Sequence, residues 1–174
     1  MKVMVIGCGR VGAWTAGELD KAGESVTVVD TDVRAFQHLP PKFGGVTVRG
    51  SGTDETVLRD AGAEMVDVLM ALTQGDNRNA LAAQMAKHLF RVPRVIAKIN
   101  DPVRAEAYRS LGLETICRTV ILSEALVLAT LQGADATNGA VEAPTAEPLQ
   151  HPTGPRAAVP QAAAPQGASL GREA

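Results

Sequence analysis

Lys2-Val3-Met4-Val5-Ile6 runs straight into Gly7-Cys8-Gly9-Arg10-Val11-Gly12, and this junction of a short apolar run with a G-x-G-x-x-G turn sets the fold. The run is too short for a helix and continuous rather than alternating, the pattern of a strand buried on both faces. Helical spacing opens at Val11, so the glycines form a strand-to-helix turn. There Gly7 permits the tight bend, Gly9 lets the backbone approach a diphosphate, and Gly12 lets the helix pack close to the strand. The free N–H groups and dipole of the helix then hold the anion. A second apolar run, Ser25–Val29, ends at Asp30. A carboxylate at that distance downstream takes the ribose hydroxyls of a dinucleotide and repels a 2′-phosphate, so NAD is expected rather than NADP. The alternative is structural: the glycines only pack helix on strand and Asp30 caps the next helix. Asp32, before Val33-Arg34-Ala35, reads better as that N-cap. Arg10 either reaches the diphosphate with its guanidinium or is a solvated residue at the helix start.

The alternation continues outward. Strands are expected over Lys2–Ile6, Ser25–Val29, Gly45–Val48, Val66–Ala71, Arg94–Ile99 and Glu114–Ile116. Helices are expected over Val11–Ala22, Asp32–Leu39, Asp54–Ala61, Asn77–Phe90, Pro102–Leu111 and Thr119–Leu131. Near-continuously apolar strands, each followed by a helix, imply parallel pairing through right-handed crossovers: a doubly wound α/β sheet, Rossmann-like, of about six strands. Gly23, Gly62 and Gly112 each fall just past a helical run, where a left-handed residue is wanted.

The chain has 174 residues, formal net charge −2 and 45% hydrophobic residues, which allows one domain with a tail rather than two full domains. Charges balance over 1–132, whereas beyond Gly133 only Arg156 and Arg172 face Asp135, Glu142, Glu147 and Glu173. That segment has no aromatic residue, no Ile and no Lys, and prolines recur at 144, 148, 152, 155, 160 and 165. Each proline removes a donor and pushes its predecessor out of the helical region, so the alanines cannot build a useful helix. Residues 1–132 are expected to form the nucleotide-binding domain and 133–174 an Ala/Pro-rich disordered tail. No apolar run approaches the roughly 20 residues of a membrane span, and Met1–Ile6 lacks the layout of a secretory signal, so a cytoplasmic location is expected. The near-neutral balance lacks the basic stripe of a nucleic-acid binder. Cys8 and Cys117 suit neither a disulfide framework nor a metal site and read as small buried residues.

A dinucleotide site raises the prospect of an oxidoreductase, yet the proton donors are poor. Tyr108 is the only tyrosine, and Gly112 stands four residues on where a short-chain dehydrogenase has lysine. His38 adjoins Pro40-Pro41, His88 lies in a helix and His151 in the tail. No residue is assigned a catalytic role; the site reads as built to sense a nucleotide rather than react with it. The last helix adds a second clue. Thr119, Ser123, Glu124 and Thr130 cluster on one side, while apolar residues cover more than half the circumference, wider than the stripe of roughly 100° that one sheet needs. The surplus face is expected to meet a second subunit; the alternatives are a deeply packed terminal helix or one missing a neighbour.

These residues resemble the regulatory subunits of Trk-type potassium uptake systems, whose Rossmann lobes form the RCK or KTN family. The resemblance covers roughly 1–131. Besides the glycine turn and Val28-Val29-Asp30, it rests on Arg49-Gly50-Ser51-Gly52-Thr53-Asp54 through Val57-Leu58-Arg59-Asp60-Ala61-Gly62-Ala63. It continues with Ala71-Leu72-Thr73, Asn79, Ala86-Lys87 and Ile96-Ala97-Lys98-Ile99-Asn100-Asp101-Pro102. The resemblance implies that Gly7, Cys8, Gly9, Arg10 and Val11 hold the diphosphate, with Gly12 closing the turn, and that Asp30 holds the adenosine ribose. It further implies Ser51 and Thr53 near the base, Thr73 and Gln74 lining the ligand, and Lys98 directed at the nucleotide. The implied ligand is NAD(H), with ATP/ADP or AMP as alternatives. The implied partners are a membrane potassium transporter subunit, gated from the inner face of the membrane, and further copies of the chain in a homodimer or higher ring, partly through Thr119–Leu131. Relatives usually continue into a small C-terminal lobe where this sequence runs into its Ala/Pro segment, and regulation through that lobe is not carried over. The rival readings are a small NAD-dependent oxidoreductase and a nucleotide-free adaptor.

Overall fold

The computed structural model describes residues 1–131; the expected disordered tail, 133–174, lies outside the described residues. Six strands form one parallel sheet: β1 Lys2–Ile6, β2 Ser25–Asp30, β3 Val46–Arg49, β4 Val68–Ala71, β5 Arg94–Lys98 and β6 Glu114–Ile116. Their order is β3-β2-β1-β4-β5-β6. Ile6 pairs with both Val29 and Ala71, and Lys98 with Ile116, so the carboxyl ends of the strands share one edge. The chain winds outward from β1 through β2 to β3, then returns to β4 on the other side, which places the switch point between β1 and β4.

Five helices flank the sheet or follow it: α1 Arg10–Lys21, α2 Glu55–Asp60, α3 Asp76–Gln84, α4 Pro102–Ser110 and α5 Arg118–Leu131. Continuous apolarity in β1 is explained by burial on both faces. Met4 and Ile6 join Leu58 of α2, Ala83 of α3 and Ala105 of α4 in one cluster, whereas Val3 and Val5 join Ala13 and Ala16 of α1 in the other. Each of the Met, Ile, Leu and Val side chains among these contributes about 1.5–3 kcal/mol when fully buried. Gly23, Gly62 and Gly112 stand at φ 82, 82 and 80, as their positions past the helices required.

Several boundaries differ from the sequence reading. The helix expected over 32–39 is a run of tight 3-10 turns, Val33–His38, with no buried side chain, and Pro40-Pro41 blocks its extension. β4 begins at Val68 rather than Val66, because a 3-10 turn at Ala63–Met65 precedes it and Asp67 N–H donates to Lys2 O. The helix expected over 77–90 is α-helical only to Gln84. It widens over Met85–Leu89, where Phe90 N–H donates five residues back to Met85 O at 3.1 Å, and ends at Arg91 with φ 54. No helix among the described residues is long and apolar enough to cross a membrane.

Candidate functional site

At the carboxyl edge of β1 the chain turns on glycines for two different steric reasons. Gly7 has φ 99, and a Cβ there would stand 2.9 Å from Thr73 N, so a side chain would drive the β1–α1 turn off the segment that follows β4. A Cβ on Gly12 would fall inside the van der Waals shell of Gly7 O, which seats the first turn of α1 against the loop carbonyl. At Gly9 an added Cβ would meet nothing within 4 Å. The backbone there faces open space at the start of α1, whose first N–H groups lack intrahelical partners. Gly9 itself caps α1 with no side-chain hydrogen bond and no acidic residue follows in the first turn, so no side chain of the helix itself offsets its positive end.

Asp30, at the end of β2, is gripped from two directions. Cys8 N–H donates to its Oδ2 at 2.7 Å and Asp32 N–H to its Oδ1 at 2.9 Å. Each carboxylate oxygen retains a second lone pair with which to accept a ribose hydroxyl. Asp32 is used differently: it caps the following turn through Arg34 N–H, and the Arg34 side chain pairs with it and holds its carboxyl below the usual range. Asp32 is therefore the N-cap expected of it, while Asp30 accepts backbone N–H groups from both sides of the turn. The β3–α2 loop is drawn in by Gly50 N–H donating to Asp30 O at 2.9 Å, and Ser51 Oγ lies 2.9 Å from Thr53 Oγ1.

The segment after β4 hangs on Asn79, which is fully buried. Its Oδ1 accepts from Thr73 N–H at 2.9 Å and Thr73 Oγ1 at 2.6 Å, while its Nδ2 donates to Thr73 O at 3.0 Å and Lys98 O at 2.7 Å. One amide therefore joins the ends of β4 and β5. Beside it, Asp76 accepts from Asn100 N–H and Nδ2, both at 2.9 Å, and from Asp101 N–H at 3.1 Å. Burial alone would raise the Asp76 carboxyl, but these donors hold it below the ordinary range.

Together the three loops line a cleft of about 340 Å³, within the size range of small-ligand sites, roughly 300–1,000 Å³. Gly7, Gly9, Asp30, Ser51, Thr53, Thr73 and Gln74 all line it. The remaining expected residues stand outside the lining. Gly12 lies behind the turn. The Cys8 thiol is buried in the core and pushed up to about 11 by burial and the Asp30 charge, so its backbone is what serves Asp30. Arg10 lines a neighbouring groove with Trp14, Glu18, Lys21 and Pro40, and Val11 is exposed. Lys98 is only 8% exposed; burial, then Arg118, lowers its ammonium. Arg78, in the first turn of α3, lines the cleft although no motif in the sequence singled it out. The available signal was its position, three residues past the glycine that caps the helix after the switch-point segment. His38 also reaches the rim, whereas Tyr108 and His88 do not line the cleft.

A family model described as the TrkA-N domain matches residues 3–119. The Trk system potassium uptake protein TrkA of Streptomyces coelicolor is 43% identical over 116 residues, covering 67% of this chain and 52% of that protein. The chain thus spans about half the length of this curated relative. Among solved structures, the Shewanella denitrificans Kef CTD in AMP-bound form matches with a TM-score of 0.64 at 18% identity, covering 77% of this chain and 84% of that one. The GsuK channel bound to NAD matches with a TM-score of 0.57 at 22% identity, covering 66% of this chain and 21% of that one. At these identities the two structures establish likeness of fold.

Proposed function

The chain belongs to the TrkA-N domain family, and on that premise we propose that it is the nucleotide-binding regulatory part of a Trk-type potassium uptake system. The observation that carries the reading is the Asp30 carboxylate, fixed by Cys8 N–H beside the open backbone of Gly9 at the start of α1. A ribose on Asp30 leaves its 5′-phosphates over the N-terminus of α1, the arrangement an adenine nucleotide requires. NAD(H) is the first ligand, and ATP/ADP or AMP share the same adenosine half. The relative's name supports the potassium link, and the AMP and NAD named for the two solved structures support the ligand class. The partner is a membrane potassium transporter met from the cytoplasmic side, and α5 joins copies of the chain into a dimer or ring. Regulation then works by differential affinity: a nucleotide that binds one conformation of the assembly better shifts the transporter toward it. We infer a regulatory rather than a catalytic role, a reading supported by the family match; of the described proton donors Tyr108, His88 and His38, His38 alone reaches the rim of the cleft.

Calorimetric titration of the full chain with NADH and NADPH tests the site. NADH binds, and NADPH binds at least about tenfold more weakly because its 2′-phosphate meets the Asp30 charge. Asp30→Asn narrows that gap. Failure of every adenine nucleotide to bind would reduce the glycine turn to packing and favour the adaptor. Unchanged potassium uptake after deletion of the gene, in cells short of other uptake systems, would refute the transport role.

A further inference from the structure

Arg78 is a cation without a counter-charge. Among the described residues it has no hydrogen bond or ion pair, yet it lines the cleft. Its guanidinium lies back over the N-terminus of α3 rather than out along the helix: a Cβ on Gly75 would stand 3.1 Å from its Nε and 3.4 Å from its Nη2. That is an unfavourable place for a cation, because the first turn of a helix is its positive end. The nearest acid in sequence, Asp76, is committed to Asn100 and Asp101 on the β5 side. Two positive potentials, the end of α3 and Arg78, therefore converge on the β4 side of the cleft with no ion pair to Arg78 among the described residues.

The opposite side carries the acid. Asp30 ends β2, and β1 separates β2 from β4, a distance of about 10 Å at ordinary strand spacing. A nucleotide with its ribose on Asp30 and its phosphates at the start of α1 extends its distal part toward Gln74 and Arg78. We propose, resting on the nucleotide reading above, that Arg78 is a specificity-determining residue. It reads the charge of the ligand's distal half, favouring an anionic or uncharged group over a cationic one. Oxidised nicotinamide carries a fixed positive charge on its ring and the reduced ring carries none. The cleft therefore distinguishes the redox states of the same dinucleotide by electrostatics alone, with no group touching the reactive carbon.

The experiment is calorimetric titration of the full chain with NADH, NAD⁺ and AMP, for the wild type, Arg78→Gln and Arg78→Lys. The wild type binds NADH about three- to tenfold more tightly than NAD⁺, the scale expected of one partly screened charge pair. Arg78→Gln brings the two affinities together, Arg78→Lys keeps most of the difference, and AMP, which ends before Arg78, changes little across the three proteins. An equal affinity for NADH and NAD⁺ in the wild type, a difference that survives Arg78→Gln, or an AMP affinity that falls as far as that of NADH would each overturn the proposal while leaving the nucleotide site intact. Binding of none of the three would instead overturn the nucleotide reading, and this proposal with it. Unchanged thermal midpoints in both variants exclude unfolding as the cause of any loss.

Discussion

Gly9 and Gly12 occupy the same motif three residues apart, and the structure assigns them opposite duties. A methyl group on Gly12 meets the backbone carbonyl of Gly7, which cannot move without displacing the turn, whereas one on Gly9 enters open space. Gly12→Ala should therefore cost about 1–3 kcal/mol of stability, the scale of overpacking. Gly9→Ala should stay within about 0.5 kcal/mol and weaken nucleotide binding instead, by intruding where the diphosphate approaches. Urea unfolding and calorimetry on the two variants check this, and a stability loss at Gly9 equal to that at Gly12 would contradict it. Both glycines, and Asp30, were legible because the motif encodes a local turn. What the motif could not convey is that Asp30 also braces the turn, since its contact with Cys8 N–H joins residues from adjacent strand ends through the register of β1 with β2.

The segment between β4 and α3 was legible only as a line of ligand-facing residues; the groups that hold it are long-range. Asn79→Ala would leave Thr73 N–H and Thr73 O at the cleft wall and the buried Lys98 O without this partner, and should cost about 3 kcal/mol. Asn79→Asp should fare no better despite its shape, because a carboxylate oxygen would then face two carbonyl oxygens. Denaturant midpoints for the pair test the arrangement, and near-wild-type stability of Asn79→Asp would show that Nδ2 donates nothing of consequence. Asp76 adds a pH signature. Its folded-state carboxyl titrates below its ordinary value of 3.8, so its contribution is complete above that value and disappears as pH falls through the lower, folded one. The stability gap between wild type and Asp76→Asn should thus be open at neutral pH and close on acidification below about 4. A gap that widens with acid would reverse the assignment. The boundary misreadings have the same origin as these missed supports. Apolar spacing over 77–90 cannot separate an α-helix from one that widens in its last turn, and at 32–39 it does not register that the two prolines leave room for tight turns alone.

The apolar excess of the last helix was visible on a helical wheel, but the wheel could not tell which neighbour absorbs it. In the folded chain no side chain of α5 is buried: Ile121 is 56% exposed, Leu126 60% and Leu131 78%. The helix is held at its start, where Thr119 Oγ1 donates to Asn100 O at 2.6 Å just past β5, and the exposure of its side chains rules out deep packing against its own sheet. Isolated helices shorter than about 12–15 residues are marginal in water, and α5 has 14. Contiguous exposed apolar surface of this kind marks an interaction site. The second copy of the chain proposed above would satisfy the surplus with a matching surface, since a twofold contact sets the same helix against itself. Sedimentation of the wild type should therefore show concentration-dependent self-association, and Leu126→Glu should yield a monomer that still binds nucleotide, because α5 contributes nothing to the cleft. Helical circular dichroism should fall slightly in that variant as α5 loses its cover. A wild type that stays monomeric at every concentration, or a Leu126→Glu protein that associates as strongly as the wild type, would show that α5 is covered by another partner. The transporter itself would then be the surface to test against it.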